Sequence, residues 1–538
     1  MKKTIAILVI TILSLKALFG QITDTPLFDK VGVAYGSYGY YDVTRMLSQT
    51  YAAGTARMQG IGGAQISLGG DLSAAHFNPA GLGLYNRSSF TFTPSLDFHS
   101  TTAEYEGQFT EDYKANFNFA HLGAGFHHDG YGAYKGGTFA ITLTRINDFY
   151  NDTFYGGVTG AVSGKSTSII DSYREHAVGF YKDDLVNADN DAYNSLGLAY
   201  GQYLINPEYD REGLQTGNYW NFIGGVPVHE ERVITRGKQY QWDFSYGGNY
   251  NDRLYFGVGI GISTMNYREE RIYDEYDFQE ELFDNSGEPT GQWVSEGILD
   301  YLSTRSVIDM QGVGGNATFG VIARPVDALR IGFSAKTPTF FNIEETSSLD
   351  LMTQYFNYQY VDSYYPEDDA ELDYFYEELE PTLTNINLRT PWKLSTGVSV
   401  FLGKSGFLSA DIDYLNYSNS KLKAYDFNVS ADNSTIRNLY ASTFNYRIGG
   451  EFKAGPIQLR AGYGVIGDPY KNGSIDRSIQ RISGGLGFRN QDFYLDASVV
   501  HSRFDSELVP FTFPDGTGPS ATVENKNTNV SVTVGFNF

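Results

Sequence analysis

The sequence predicts an all-β protein, a fourteen-stranded antiparallel transmembrane β-barrel entered through a Gly-rich N-terminal segment. Three observations carry this prediction. Apolar and polar residues alternate with period two from Ser88 to the last residue, the connections between alternating stretches are short and long by turns, and the chain is rich in Tyr (42), Phe (37) and Gly (60). Aromatic residues suit a pleated, half-buried surface better than a helix.

The first alternating stretch, "SFTFTPSLDF", sets Phe90, Phe92, Pro94, Leu96 and Phe98 on one face and Thr91, Thr93, Ser95 and Asp97 on the other. Each such stretch is long enough to cross a bilayer as a tilted strand of about 9–11 residues. Short turns are read at "HHDGYGAYKG" and at 249–252, 323–328, 403–406, 453–456 and 489–492. Longer, Tyr- and acid-rich connections are read at 99–115, 150–238, 272–304, 348–382, 420–440, 467–477 and 505–522, and seven loops with six turns define fourteen strands. Segregation of short turns to one rim and an even strand count are features of bacterial outer-membrane barrels, and closure is what lets a sheet cross lipid without an unpaired edge. The last strand, "NVSVTVGFNF", ends on Phe538, and a terminal aromatic resembles the signal read by barrel-assembly machinery. Tyr255, Tyr267, Tyr414, Tyr417 and Tyr494, near strand ends, are expected in interfacial aromatic girdles.

Residues 1–20, "MKKTIAILVITILSLKALFG", have the form of a secretory signal peptide with cleavage expected after Gly20. Lys16 cuts the apolar stretch below the roughly 20 residues of a membrane anchor. No later run of 18 apolar residues occurs. The predicted location is therefore the outer membrane of a Gram-negative bacterium, reached by export.

Net charge is −24, which repels phosphate backbones and excludes nucleic acid as a partner. Cys is absent, so there is no disulfide framework, thiolate metal site or lipidated cysteine. "GKST" (164–167) ends like a phosphate-binding loop, but Thr159 stands where its first glycine belongs. His127-His128 has no third ligand at useful spacing, and no G-x-S-x-G elbow is present. No catalytic residue, metal ligand or cofactor is assigned, and the sequence singles out no pocket-lining residues. The acidic tracts 268–284 and 364–380 are read as solvated outer loops whose aromatic residues pack on one another over the barrel mouth.

Residues 21–87 are too few and too Gly-rich for a stable independent domain, and precede the barrel at 88–538. Within them, "GIGGAQISLGGDLSAAHFNPAGLGLY" resembles the N-terminal signature of the long-chain fatty-acid transporter family of outer-membrane proteins, the FadL/OmpP1/TodX type. The matching positions are Gly62, Gly63, Ala64, Asp71, Ser73, Ala74, Asn78, Pro79, Ala80 and Gly81; "LTRINDF" and "FLSADIDYLNYS" also look familial. The resemblance implies a fourteen-stranded barrel with an N-terminal hatch in its lumen, and assigns Asp71, Ser73, Asn78, Pro79, Ala80 and Gly81 to hatch and gate. It further implies passive uptake of hydrophobic small molecules, fatty-acid-like or aromatic, often leaving sideways into the membrane. The implied partners are outer-membrane lipid, lipopolysaccharide and the hydrophobic ligand. The alternative is a barrel of this type acting as a structural subunit of a larger outer-membrane machine for secretion or barrel assembly. Haem uptake and barrel hydrolase activity are weaker readings. Residues 21–51 and the 150–238 loop exceed the family's usual plan.

Overall fold

The computed structural model describes residues 39–49, 53–160, 167–224, 226–283, 289–294, 298–360, 370–471, 473 and 475–538. The expected signal peptide, residues 21–38 and most of the "GKST" stretch lie outside the described residues.

The wall is a closed antiparallel barrel of fourteen strands. In chain order these are β1 (Ser89–Tyr105), β2 (Gln108–Asp129), β3 (Tyr134–Asp148, continuing as Asn151–Val158), β4 (Val228–Tyr250), β5 (Leu254–Tyr276), β6 (Leu299–Val326) and β7 (Leu329–Lys336, continuing as Phe340–Tyr360). They go on as β8 (Thr382–Arg389, continuing as Lys393–Phe401), β9 (Gly406–Asn416), β10 (Ser442–Ala454), β11 (Ile457–Ile466), β12 (Ile479–Arg489), β13 (Phe493–Leu508) and β14 (Ala521–Asn537). Each strand pairs with the next, and β14 returns to β1 with Phe90 opposite Phe536 and Glu104 opposite Thr522. The Phe538 amide donates to the Ser88 carbonyl at 3.0 Å, tying down the seam. Pro94, which has no amide to give, sits where the β1–β2 register shifts between Thr93 and Pro94, a bulge that removes the need for its donor.

Burial follows the alternation, with polarity inverted relative to a soluble protein. On β1, Phe90, Phe92 and Leu96 face outward while Thr91, Thr93 and Asp97 are buried in the lumen; on β5, Phe256, Val258, Ile260 and Ile262 face outward. An apolar outer belt above the short-turn rim is the surface a membrane barrel presents to lipid. Among the described residues no helix is long and apolar enough to cross a membrane. Belt and closed wall together fit an outer-membrane protein.

Beyond the belt the strands differ from the predicted loops. The stretch 99–115 is not a loop: β1 and β2 stay paired out to Tyr105 and Gln108, with a tight turn at Glu106 and Gly107. The first half of the acidic tract 268–284 is likewise wall, and its charges are paired across strands, Arg268 with Asp309, Arg271 with Glu231 and Arg305 with Glu270. Strands that rise out of lipid into water become polar on both faces, which erases the alternation that marks them in sequence. Residues 370–378 of the second acidic tract pair with β7 as an extra strand.

Four of the five expected girdle tyrosines point inward. Tyr255, Tyr267, Tyr417 and Tyr494 are buried, and only Tyr414 faces out. Beside Tyr255 and Tyr494 apolar neighbours one position away, Leu254, Phe256 and Leu495, take the lipid face, whereas Tyr267 and Tyr417 lie farther from the short turns, among polar neighbours.

Over the long-loop rim the chain between β3 and β4 folds into a cap. Helices at Ile169–Ala177 and Ser195–Gly201 bury Ile170, Tyr173, Leu196 and Leu198 with Leu302, Leu351 and Tyr355 from the wall and Phe511 from the last loop. Glu275, fully buried, anchors it by accepting from Ser168 Oγ at 2.5 Å and the Ile169 amide at 2.8 Å. The mouth is covered chiefly by the 150–238 connection, and not by the acidic tracts 268–284 and 364–380 alone as expected, although Tyr273, Phe278 and Leu372 join its cluster.

Val258→Arg, at the middle of the belt on β5, is expected to cost about 2–4 kcal/mol when the barrel is refolded into vesicles and unfolded in urea. A loss below about 0.5 kcal/mol would show that this face does not meet lipid.

Candidate functional site: the lumenal segment and the cavity above it

Residues 53–84 run inside the barrel as short helical turns joined by glycines. They form α1 (Ala56–Gly60), α2 (Ala74–Phe77) and a 3-10 turn, Pro79–Leu84, almost all buried. Glycine separations below helix length, with Pro79 at the start of the last turn, keep any of these from growing into a regular helix.

Asp71 organises the middle of the segment. Its carboxylate accepts from Thr55 Oγ1 at 2.8 Å, the Ser73 amide at 3.0 Å and Ser73 Oγ at 2.6 Å. Ser73 also donates to Gln65 Oε1 at 3.0 Å, so three parts of the segment meet here. Asn78 caps the 3-10 turn through the Ala80 amide at 3.2 Å and donates from Nδ2 to the Ile66 carbonyl at 2.6 Å. Gly69 has φ +62°, and a Cβ there would meet Gly81 Cα at 2.8 Å. Small residues at both positions let two strands of backbone touch, and the Gly70 amide donates to the Gly81 carbonyl. Asp71, Ser73, Asn78, Pro79, Ala80 and Gly81 therefore form one connected, buried unit.

The wall grips this unit around its circumference. Asp411 on β9 accepts from the Gln65 and Ile66 amides at 2.6 and 2.9 Å, Thr533 on β14 accepts from the Ala56 amide at 2.8 Å, and Ser245 on β4 donates to the Ala75 carbonyl at 2.8 Å. Arg57 pairs with Glu451 on β10 at 3.1 Å, and His76 Nδ1 lies 3.0 Å from Asp243 on β4. Where the segment's backbone touches the wall, the wall has glycine: a Cβ at Gly257 would fall 2.2 Å from Pro79, and one at Gly462 2.2 Å from the Gly62 nitrogen. Tyr255 and Ile322, which pack on Ala80, lie beside short turns, so the segment reaches the short-turn end of the lumen.

No protein-family model matches the chain, and no curated protein matches it. Solved structures do. A Pseudomonas aeruginosa FadL homologue aligns over 91% of this chain and 100% of its own at 12% identity with a TM-score of 0.53. The Pseudomonas putida toluene transporter TodX aligns over 91% and 100% at 12% identity with a TM-score of 0.50. This chain has the FadL-type barrel fold.

In this FadL-type barrel the ladder between β2 and β3 is interrupted. β2 and β3 pair from Asp129–Gly136 only as far as His121–Thr144. Past that point residues 108–120 of β2 are paired to β1 alone, and the outer part of β3 to β4 alone. The gap starts just past His121 and runs along Phe119 and Phe117, which pair with Pro94 and the lipid-facing Leu96, so it opens in the upper part of the belt. Side chains bridge it instead of backbone: Asn116 and Asn118 reach Asp148 at 3.2 and 3.3 Å, and Tyr240 donates to the Phe119 carbonyl at 3.2 Å.

In the lumen, inward of β1 and the outer half of β3, lies a cavity of about 240 Å³. Its lining draws on β1, β3, β4, β5, β13 and β14 and on residues 45–49. Those residues belong to a further N-terminal helix, Tyr41–Met46, which buries Tyr41 and Val43 and whose Asp42 accepts from Tyr440 at 2.5 Å. Part of the N-terminal extension thus reaches the loop half of the lumen. Asp97, His99 and Asp148 bring ligand atoms within 4.8 Å of one another, but Arg145 already occupies the place between the carboxylates, at 2.7 Å from Asp97 and 2.9 Å from Asp148. Neither the wall glycines nor the interrupted ladder was readable beforehand, because each is defined only by what lies across from it.

Gly257→Val is expected to displace the lumenal segment while the barrel still forms. Limited trypsin digestion checks this: cleavage after the buried Arg57 should appear in the variant, and continued protection would mean that the close contact can relax.

Proposed function

We propose that this protein is a passive outer-membrane channel for hydrophobic small molecules, fatty-acid-like or aromatic, gated by the lumenal segment 53–84. The observation that carries the reading is the combination of three parts in one barrel: an internal segment filling the lumen near the short turns, a lumenal cavity lined by the loop-side halves of the strands, and an interruption of the β2–β3 ladder beside β3, which also lines that cavity. The similar solved structures, a FadL homologue and a toluene transporter, support the same class.

The physical logic is a change of solvent along the path. An apolar solute crosses a polar lipopolysaccharide leaflet slowly, and a protein-lined route replaces that barrier. With the mouth covered by the cap, the β2–β3 gap supplies a lateral path to the bilayer, held shut by side-chain bonds that exchange faster than a strand ladder melts. Entry into the periplasm instead needs the lumenal segment to move. Its wall contacts suit movement, since they are discrete hydrogen bonds and glycine contacts without a large shared apolar core.

A cysteine-free chain permits a direct test. Ser67 Oγ and Ser399 Oγ lie 2.5 Å apart, so Ser67→Cys with Ser399→Cys places two thiols within reach of a disulfide between segment and wall. Oxidation is expected to stop uptake of toluene and fatty acid into cells or vesicles, and reduction to restore it. Uptake that ignores the oxidation state would sink gating by this segment.

A further inference from the structure

We infer that the lumenal cavity is a binding site for a small amphipath with a neutral, hydroxyl-bearing head, the head seated against β13, β14 and β1 and the tail against Phe149 and Tyr267. This rests on the channel reading and narrows it to a class of ligand.

Most charges around the cavity are already engaged within the protein, and Glu269 accepts from Tyr267 Oη at 2.6 Å. Arg145 bridges Asp97 and Asp148, Arg271 forks onto Glu231 at 2.7 and 2.9 Å, Lys526 holds Glu524 at 2.6 Å, and Arg45 holds Asp42 at 3.0 Å. An ionic head entering here would surrender its hydration and find its counter-charges engaged, so it would have to break a pair to gain one. A neutral head escapes that penalty.

What the lining does offer is uncharged hydrogen bonding. β14 carries Asn525, Asn527 and Asn529 at alternate positions, all lining the cavity. The outer two amides are used within the wall: Asn525 donates to Ser506 at 2.9 Å, and Asn529 donates to Asp97 at 2.7 Å. Asn527 differs. Its Nδ2 faces the His99 ring at 3.3 Å, while its Oδ1 is buried with no hydrogen-bond partner among the described residues. A buried carbonyl oxygen needs a donor. A hydrocarbon has none to give and a carboxylate only accepts, whereas a hydroxyl donates to the oxygen and accepts from neighbouring groups in the same contact.

Across the cavity the character changes. Phe149 meets Tyr267 edge to face at 5.5 Å, and Ile146 and Val233 flank them. The β14 side thus carries an amide ladder and the β3–β5 side an aromatic and aliphatic patch beside engaged charges, a pairing that suits a ligand with one wet and one greasy end.

The test is calorimetric titration of the full chain in lipid nanodiscs, with empty nanodiscs subtracted, using four probes: hexyl β-D-glucoside, hexanoate, hexylamine and toluene. The glucoside is expected to bind about tenfold tighter than the other three, and Asn527→Leu to remove about that factor for the glucoside while leaving toluene unchanged. Hexanoate or hexylamine binding as tightly as the glucoside overturns the proposal, as does a glucoside affinity indifferent to Asn527→Leu. The four-probe ranking on the unaltered chain decides even if the variant does not fold. Binding of toluene without the glucoside leaves the channel standing and removes only the neutral-head site; binding of none of the probes removes both.

Discussion

Lipid offers no hydrogen bonds, so every amide and carbonyl of the wall at membrane depth must find its partner within the protein. The seam between β14 and β1 is where that requirement is met last, and the remainder of the architecture is a response to it. Fourteen strands enclose a lumen too wide for the wall's own side chains to fill, and the inward face is polar, so an open lumen would be a water-filled hole. Residues 39–49 and 53–84 occupy it, the latter chiefly through the polar groups the inward face presents and the former also through an apolar cluster with Met265, Ile308 and Phe341. Plug and wall are complementary in polarity for the same reason that the outer belt is apolar.

How the plug is held determines what it can do. A soluble core is cemented by interdigitated apolar side chains and resists sliding. Here the contacts are hydrogen bonds at Asp411, Thr533 and Ser245, the Arg57–Glu451 ion pair, and close meetings of backbone at Gly257 and Gly462. The cap at the other end is built the opposite way, around a continuous apolar cluster that joins its helices to the wall. One end of the lumen is closed by something packed and the other by something tied.

The strand number was legible because lipid imposes a strict alternation, and the alternation survives in composition: Phe256, Val258, Ile260 and Ile262 announce β5 without any knowledge of its neighbours. The connected unit of Asp71, Ser73, Asn78, Pro79, Ala80 and Gly81 was legible through its familial signature. What failed did so for physical reasons. Above the belt both faces of a strand meet water or polar cap, so 99–115 and 268–276 read as loop though they are wall. Tyr255 and Tyr494 were placed on the wrong face because tyrosine suits an interface and a polar lumen equally well. The partners of the plug lie hundreds of residues away in sequence, as Ala56 and Thr533 do, and no local pattern records them.

The seam has a further consequence for how the molecule comes into being. Thr93 and Thr533, hydrogen-bonded across it at 2.8 Å, are separated by 440 positions, while most other wall contacts join strands adjacent in the chain. Hairpins can therefore form early and cheaply, but the contact that ends exposure of the two free edges comes only after the whole chain has been made and curled. Until then the first and last strands are both open templates for pairing with other chains, which makes the unfinished barrel, rather than the finished one, the form of this protein that most needs a chaperone.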